Sequence, residues 1–318
     1  MCKVLPILAL AAALPTLSGQ IPYSNPPTLV DTSRTRNSPP RTRETVNVDV
    51  NLVLVPVTVT DRSGQTVAGL TTGDFHILED GLLQTITHFG AEDAPLSIGL
   101  LLDVSGSMTE KMSKALSATR VFFDNLNRDD EVFLMAFSTR PEYRIPFTSA
   151  FEEIQNSLLF TQPTGKTALI DAVYLALQYM HSARNARKAL LIVSDGGDNH
   201  SRYHERDLLR AVVETDVQIY AIGIHDFPRS REERRGRYLL GRLARVTGGQ
   251  HYKIRNLKKL DEVAGTLALA MHNQYVIGYR PPPNSLPGKW RRIRVRVKEA
   301  ESKDNVRVYT RSGYYAPR

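Results

Sequence analysis

Between positions 95 and 274, short apolar runs alternate with stretches whose apolar residues recur at helical spacing. The runs at 96–102, 131–137, 189–194, 218–224 and 250–254 predict strands buried on both faces. Met112, Ala115, Leu116, Thr119, Phe122, Phe123 and Leu126 predict the first helix,. Positions 168–180, 206–213, 238–246 and 257–271 predict further helices. Strand–helix alternation of this kind makes an α/β fold: a doubly wound, mostly parallel sheet covered by helices on both sides.

The two flanks read differently. In 45–94, Val46, Val48, Val50, Leu52 and Leu54 alternate with polar residues, and then Val53, Val55, Val57 and Val59 take the other parity. Pro56 sits at that change, where an edge or a bulge is expected. Phe75 to Gly81 reads as a strand and turn,. In 275–318, Ile293, Val295 and Val297 alternate with Arg292, Arg294, Arg296 and Lys298, the pattern of a half-buried strand with a basic outer face,. Neither flank buries much alone. The expectation is a small β-sandwich made of both flanks (45–94 and 275–318) with the α/β domain (95–274) inserted in it.

Positions 1–19 carry a short positive start, a compact apolar run and small residues, the pattern of a signal peptide,. The run is short against the roughly 20 apolar residues of a spanning helix, and no second apolar stretch of that length follows. Positions 20–44, rich in Pro, Ser, Thr, Asn and Arg, predict a flexible linker,. The single cysteine, Cys2, lies in the leader. The mature chain then has no disulfide, no thiol nucleophile and no zinc–thiolate site. Composition is that of a globular protein, 42% apolar and 23% charged, and the net charge of +8 favours anionic partners,. The expected compartment is outside the cytoplasm: periplasm, outer cell surface or medium.

The candidate chemistry sits where two apolar runs end. Asp103, Ser105 and Ser107 form a D-x-S-x-S run directly after the first strand, and Asp195 directly follows another. Open α/β sheets bind ligands beyond the carboxyl ends of their strands. In an extended loop, residues i, i+2 and i+4 point the same way, so the first three oxygens converge. Such hard oxygen donors suit Mg²⁺, with Mn²⁺ or Ca²⁺ as substitutes.

Asp103-Val104-Ser105-Gly106-Ser107 resembles the metal-ion-dependent adhesion site of von Willebrand factor type A domains. Pro163-Thr164-Gly165-Lys166-Thr167 is similar to that family's threonine loop, and Ser194-Asp195-Gly196-Gly197 to its aspartate loop. The resemblance implies that Ser105, Ser107 and Thr167 contact the metal directly, and that Asp103 and Asp195 do so directly or through water. Val55 to Asp61, Leu70 to Phe75 and Arg311 to Pro317 resemble the VWFA-related proteins of acidobacteria, which extends the likeness over nearly the whole mature chain. It implies a binding module, not an enzyme, that uses its metal to capture a carboxylate on a protein or matrix partner. The alternative is an envelope scaffold with a structural metal and partner contacts through the β flanks. In some type A domains ligand capture moves the last helix, here 257–271.

Other signals carry less. Thr164 to Thr167 looks like the end of a phosphate loop, but position 160 is Phe where that loop needs Gly,. Val104 to Met108 is not a nucleophile elbow. His200 and His204 read as loop residues, and the seven arginines of 229–245 as a solvated face. No nucleic-acid-binding motif is present.

Overall fold

The computed structural model describes residues 52–225, 231–282, 287–298 and 306–317. The expected leader 1–19 and linker 20–44 lie outside these residues, as does most of the first parity run of 45–94. The N-terminal flank supplies β1 (Val53–Thr60), β2 (Phe75–Glu79), β3 (Leu82–Gln84) and β4 (Ile86–Glu92). Next come β5 (Leu96–Asp103), α1 (Met112–Asp124), β6 (Glu131–Phe137), β7 (Pro141–Thr148), α2 (Phe151–Leu158), α3 (Leu169–Tyr179) and β8 (Arg187–Ser194). They are followed by α4 (Glu205–Val213), β9 (Gln218–Ile224), α5 (Arg231–Thr247), β10 (His251–Ile254) and α6 (Leu260–His272). The C-terminal flank adds β11 (Gln274–Tyr279), β12 (Trp290–Val297), β13 (Arg307–Thr310) and β14 (Gly313–Tyr315).

The central sheet has the order β10-β9-β8-β5-β6-β7, parallel except for the edge strand β7. Leu96, Ile98, Leu100 and Leu102 of β5 face one helical layer, with Ala115, Phe122, Ala264 and Leu267. Leu101 faces the other, with Leu169, Val173, Leu208 and Leu240. Gly99 also points to that second side, where Phe133 and Leu190 fill the space a side chain would need. Every residue of β5 is buried, as an interior parallel strand requires,.

Three elements differ from expectation inside this domain, one of them the short helix α2, which lies in none of the expected helices. The strand β7 was not anticipated, because Pro141 and Pro146 break its pattern; both are tolerated because β7 is an edge,. Helix α5 starts at Arg231, one to two turns before the expected 238, and its first turns carry Arg and Glu instead of apolar residues.

The flanks form two further sheets, β13-β1-β11-β4 and β14-β12-β2-β3. Each takes two strands from either end of the chain, so the α/β domain is inserted in a sandwich built by both flanks. Val55, Val57, Val59, Phe75, Ile77, Ile277, Ile293, Val295 and Val297 make the shared core, each side chain contributing about 1.5–3 kcal/mol on burial. The register of β1 on β11 runs through Pro56↔Val276 without a shift, so the bulge expected at Pro56 is not there. The proline is accommodated because β13 covers that side of β1 only from Val57 onward. Asp80 and Gly81 take φ of 49° and 90°, a two-residue hairpin turn that pairs Glu79 with Leu82,.

One polar cluster is buried in the sandwich. Glu79, 2% exposed, accepts the Tyr279 hydroxyl at 2.6 Å and the Tyr314 hydroxyl at 2.9 Å, with Arg291 at 3.9 Å. Burial and then the Glu79 carboxylate push the Tyr314 hydroxyl up to about 12. The cluster joins β2 of one flank to β11 and β14 of the other. Tyr279→Phe is expected to cost about 1.5–3 kcal/mol, the value of a hydrogen bond to a charged group, read as a lower urea midpoint with unchanged slope.

Candidate metal site

The two strands that carry the expected acids are neighbours. Asp103 ends β5 and Asp195 follows β8, and β5 pairs in parallel with β8 on one side and β6 on the other. The chain leaves β5 for β6 on one side and returns to β8 on the other, so the carboxyl ends of β5 and β8 flank the switch point where such sheets open a crevice,.

Asp103 is fully buried. Its Oδ1 accepts the Ser105 backbone N–H at 2.9 Å and its Oδ2 accepts the Ser194 hydroxyl at 2.6 Å. Burial raises its pKa to about 6; these hydrogen bonds oppose the shift and the nearby Asp195 charge adds to it. The Ser105 and Ser107 hydroxyls lie 3.1 Å apart, the first buried and the second exposed. The first loop therefore holds these two hydroxyls side by side, through a 3-10 turn over Gly106–Met108 and not through the extended backbone that was expected.

Backbone hydrogen bonds bring the threonine loop to it. Gly106 N–H donates to the Gly165 carbonyl at 3.1 Å, and Thr164 N–H to the Val104 carbonyl at 2.8 Å. Gly165 has φ of +83°, a conformation that favours glycine,. Thr167, 4% exposed, receives the third loop: Asn199 and His200 N–H groups both donate to its carbonyl at 3.0 Å. The Asn199 side chain in turn accepts the Thr167 N–H at 2.9 Å. Asp198 accepts the Ile170 N–H and the Ser201 hydroxyl, bracing the start of α3. So Asp198 and Asn199 shape the rim and do not face the oxygen cluster as donors. His200 and His204 are exposed.

The third loop completes the cluster. Asp195 is 7% exposed. Its Oδ1 accepts the Gly197 N–H at 3.3 Å and its Oδ2 meets the Lys111 ammonium at 3.3 Å. A methyl group added to Gly197 would stand 3.6 Å from Asp195 Oδ1, 3.6 Å from Glu232 Oε1 and 3.9 Å from Thr167 Oγ1. Oxygens from two loops and a helix thus surround one small space beside Gly197. The donors are all oxygen, mixed carboxylate and hydroxyl, and a lysine ammonium already lies against the outer carboxylate. This set fits a small hard divalent cation and offers nothing to a soft one. Among the described residues no group of three or more His, Cys, Asp and Glu forms a metal cluster; three of the five expected ligands here are hydroxyls.

Sequence reasoning did not single out Lys111, Glu232 or the pair His225 and His251. Lys111 lies four residues beyond Ser107, and only its contact with Asp195 marks it. Glu232 belongs to the arginine-rich stretch, where nothing local separates it from a solvated acid. One histidine opens β10 and the other directly follows the adjacent parallel strand β9: their rings meet edge to face with centroids 5.9 Å apart, above Gly223, where a side chain would collide with both. Burial, then Arg237, lowers the pKa of His225 to about 4, against the opposing pull of Asp195. Burial, then the neighbouring His225, Lys253 and Arg237, lower His251 to about 3.

Residues 98–197 match the family model of the von Willebrand factor type A domain. No curated protein matches the chain. Among solved structures, a von Willebrand factor type A protein from Catenulispora acidiphila is similar at 15% identity and a TM-score of 0.48, covering 77% of this chain and 73% of its own. An aerotolerance-related membrane protein from Bacteroides fragilis is similar at 16% identity and a TM-score of 0.44, covering 55% of this chain and 98% of its own. The corresponding domain of a type V pilus tip protein from Porphyromonas gingivalis is similar at 10% identity and a TM-score of 0.44, covering 56% and 96%. Among the described residues no helix is long and apolar enough to cross a membrane.

His251 gives a pH prediction. A folded pKa of about 3, well below the ordinary 6.5 of a histidine, means that between these values the unfolded chain binds a proton which the folded chain refuses,. Stability is therefore complete above 6.5 and is lost as pH falls from 6.5 toward 3. The slope of this one group approaches ~1.4 kcal/mol per pH unit within the window. His251→Gln should flatten the fall of the urea midpoint between pH 6.5 and 4.5 relative to the unaltered chain.

Proposed function

The chain carries a von Willebrand factor type A domain, and from that premise we propose an exported binding module that holds a divalent cation and captures an acidic group of a protein or matrix partner. Asp103, Ser105, Ser107, Thr167 and Asp195 would hold the ion, Mg²⁺ first, with Mn²⁺ or Ca²⁺ as substitutes. The observation that carries this reading is the meeting of three loops at the carboxyl ends of β5 and β8, all presenting oxygen. A bound divalent cation supplies a positive centre with a coordination position open to a carboxylate.

The residues divide the work. Ser105, Ser107 and Thr167 are neutral donors, so they leave the charge of the ion largely unspent and available to an anionic ligand. Asp103 has both oxygens engaged by Ser105 and Ser194, which favours a role through water while it fixes the first loop. Asp195 carries the outer negative charge, now shared with Lys111.

A serine-hydrolase reading has less support. The Ser105 hydroxyl is bonded to Ser107, and His200 and His204 are exposed, so among the described residues neither of these histidines is held as a base against a serine nucleophile. The scaffold reading draws on Leu82 and Leu83, each 65% exposed on the edge strand β3 of the sandwich,.

Calorimetry tests the metal. The full chain should take up Mg²⁺ and Mn²⁺ with 1:1 stoichiometry. Asp103→Asn, which still accepts the Ser105 N–H, should lower affinity by roughly 100-fold or abolish it, while circular dichroism reports an unchanged fold. No uptake by the folded, unaltered chain would sink the reading. A peptide array then tests capture. Signal that needs Asp or Glu in the peptide and disappears with EDTA supports it, whereas signal indifferent to EDTA and to Asp103→Asn favours contacts through the β flanks. Lys111→Met removes a positive charge beside the site and should tighten Mg²⁺ binding roughly threefold to tenfold.

A further inference from the structure

We propose that Glu232 is an internal ligand of the metal site: its carboxylate fills the coordination position that an external acidic group must take, so that a partner has to displace it. The inference rests on the metal reading above and deepens it. It begins with Gly236. A side chain there would overlap the backbone carbonyl of Gly196, and one on Gly196 would stand 3.0 Å from the Gly236 backbone and 3.1 Å from the Arg237 nitrogen. Helix α5 is therefore seated backbone to backbone on the loop that carries Asp195. Gly196, with φ of +87°, has the glycine-favouring conformation that lets the loop pass this close,.

Glu232 lies four residues before Gly236, on the same face of α5 and one turn nearer its start,. That face looks onto the loop, so the Glu232 carboxylate is delivered to the oxygen-lined space. Its Oε1 stands as close to the point beside Gly197 as Asp195 Oδ1 does, 3.6 Å for each. The side chains around it make this orientation informative. Arg235 and Arg242 of the same helix reach Glu205, at 3.8 and 3.0 Å. Glu232 has no hydrogen-bond or ion-pair partner among the described residues. An acid in an arginine-rich helix that pairs with none of those arginines, and whose oxygen stands with those of Asp195 and Thr167 around one point, is placed to meet a cation there. Glu232 is also exposed, so its carboxylate sits at the mouth and can leave without unfolding the core. Thr167 and Asp195, by contrast, are buried and fixed by their loops.

The experiment uses the full chain, Mn²⁺ as the probe ion and acetate as the probe carboxylate. Four forms are compared: unaltered, Glu232→Ala, Glu233→Ala and Asp103→Asn. Glu233→Ala changes the same charge one residue away, on a different side of the helix, and so measures simple electrostatics. Expected is a roughly tenfold weaker Mn²⁺ affinity for Glu232→Ala than for Glu233→Ala, by calorimetry. Water-proton relaxation by bound Mn²⁺ should rise in Glu232→Ala alone, because water replaces the lost carboxylate. Acetate should then lower that relaxation in Glu232→Ala at concentrations that leave the unaltered chain unchanged. Equal relaxation in the unaltered, Glu232→Ala and Glu233→Ala forms overturns the internal-ligand role while the metal site stands. Absence of Mn²⁺ uptake by the folded, unaltered chain, matching Asp103→Asn, overturns the metal reading and the internal ligand together.

Discussion

A carboxylate with no exposure to water stands at the end of the central strand, and much of the site can be derived from the need to compensate it. Asp103 closes β5, a strand whose two faces are both core. Burying a charge there is costly unless hydrogen bonds or an opposite charge replace the lost water. The Ser105 N–H and the Ser194 hydroxyl do part of this, and each sets a piece of geometry. The first bends the loop after β5 back over its own strand end. The second ties that loop to the neighbouring strand, one residue before Asp195. A second acid is thereby drawn beside the first, and the pair needs positive charge. Lys111 supplies some of it, and the remaining oxygens converge where a divalent ion would supply the rest.

Close approach of backbones is the second constraint. Gly106 meets Gly165 through a hydrogen bond, and Gly236 lies so close to Gly196 that a side chain would overlap its carbonyl. These contacts bring three loops and the side of a helix around one small space. Any larger residue at Gly236 would lift α5 from the Asp195 loop and carry Glu232 away with it. The helix position and the site geometry are therefore one property of the fold.

Much of this was legible in the chain. Uninterrupted apolar runs marked the parallel strands, because strands buried on both faces have no polar side to confuse the pattern. Asp80-Gly81 marked its hairpin through the backbone conformation that those two residues tolerate. The five expected ligands lie at strand ends or in short loops of distinctive composition, and the structure gathers their loops. What escaped was set by tertiary context. Strand β7 needs only one neighbour, so it can carry prolines that deny it a strand pattern. The first turns of α5 are held by backbone packing on Gly196 and by Arg235 reaching Glu205, so they show no apolar stripe. His225 and His251 are 26 positions apart, brought together by a parallel register that no local pattern encodes. Gly236 was the available hint for Glu232, since a glycine inside a helical stretch often marks close backbone approach.

The insertion also decides where a change at the site can go. The first loop leads into α1, and α1 packs on α6, where a methyl group added to Gly265 would stand 3.6 Å from Val121 and Asn125 and Asp261 accepts the Ser117 hydroxyl. Asn273 alone separates α6 from β11, an interior strand of the sandwich paired with β1 and β4. Packed interiors do not deform continuously. A rearrangement of the Ser105–Ser107 loop must then either be absorbed at the α1–α6 interface or reach β11. At that interface Gly265 leaves space that a larger residue would fill. The β11 strand is clamped by registers on both sides and by the Tyr279–Glu79 bond at its end. Of the two, the helix pair has room for an added side chain at Gly265, and β11 has its register fixed on both sides.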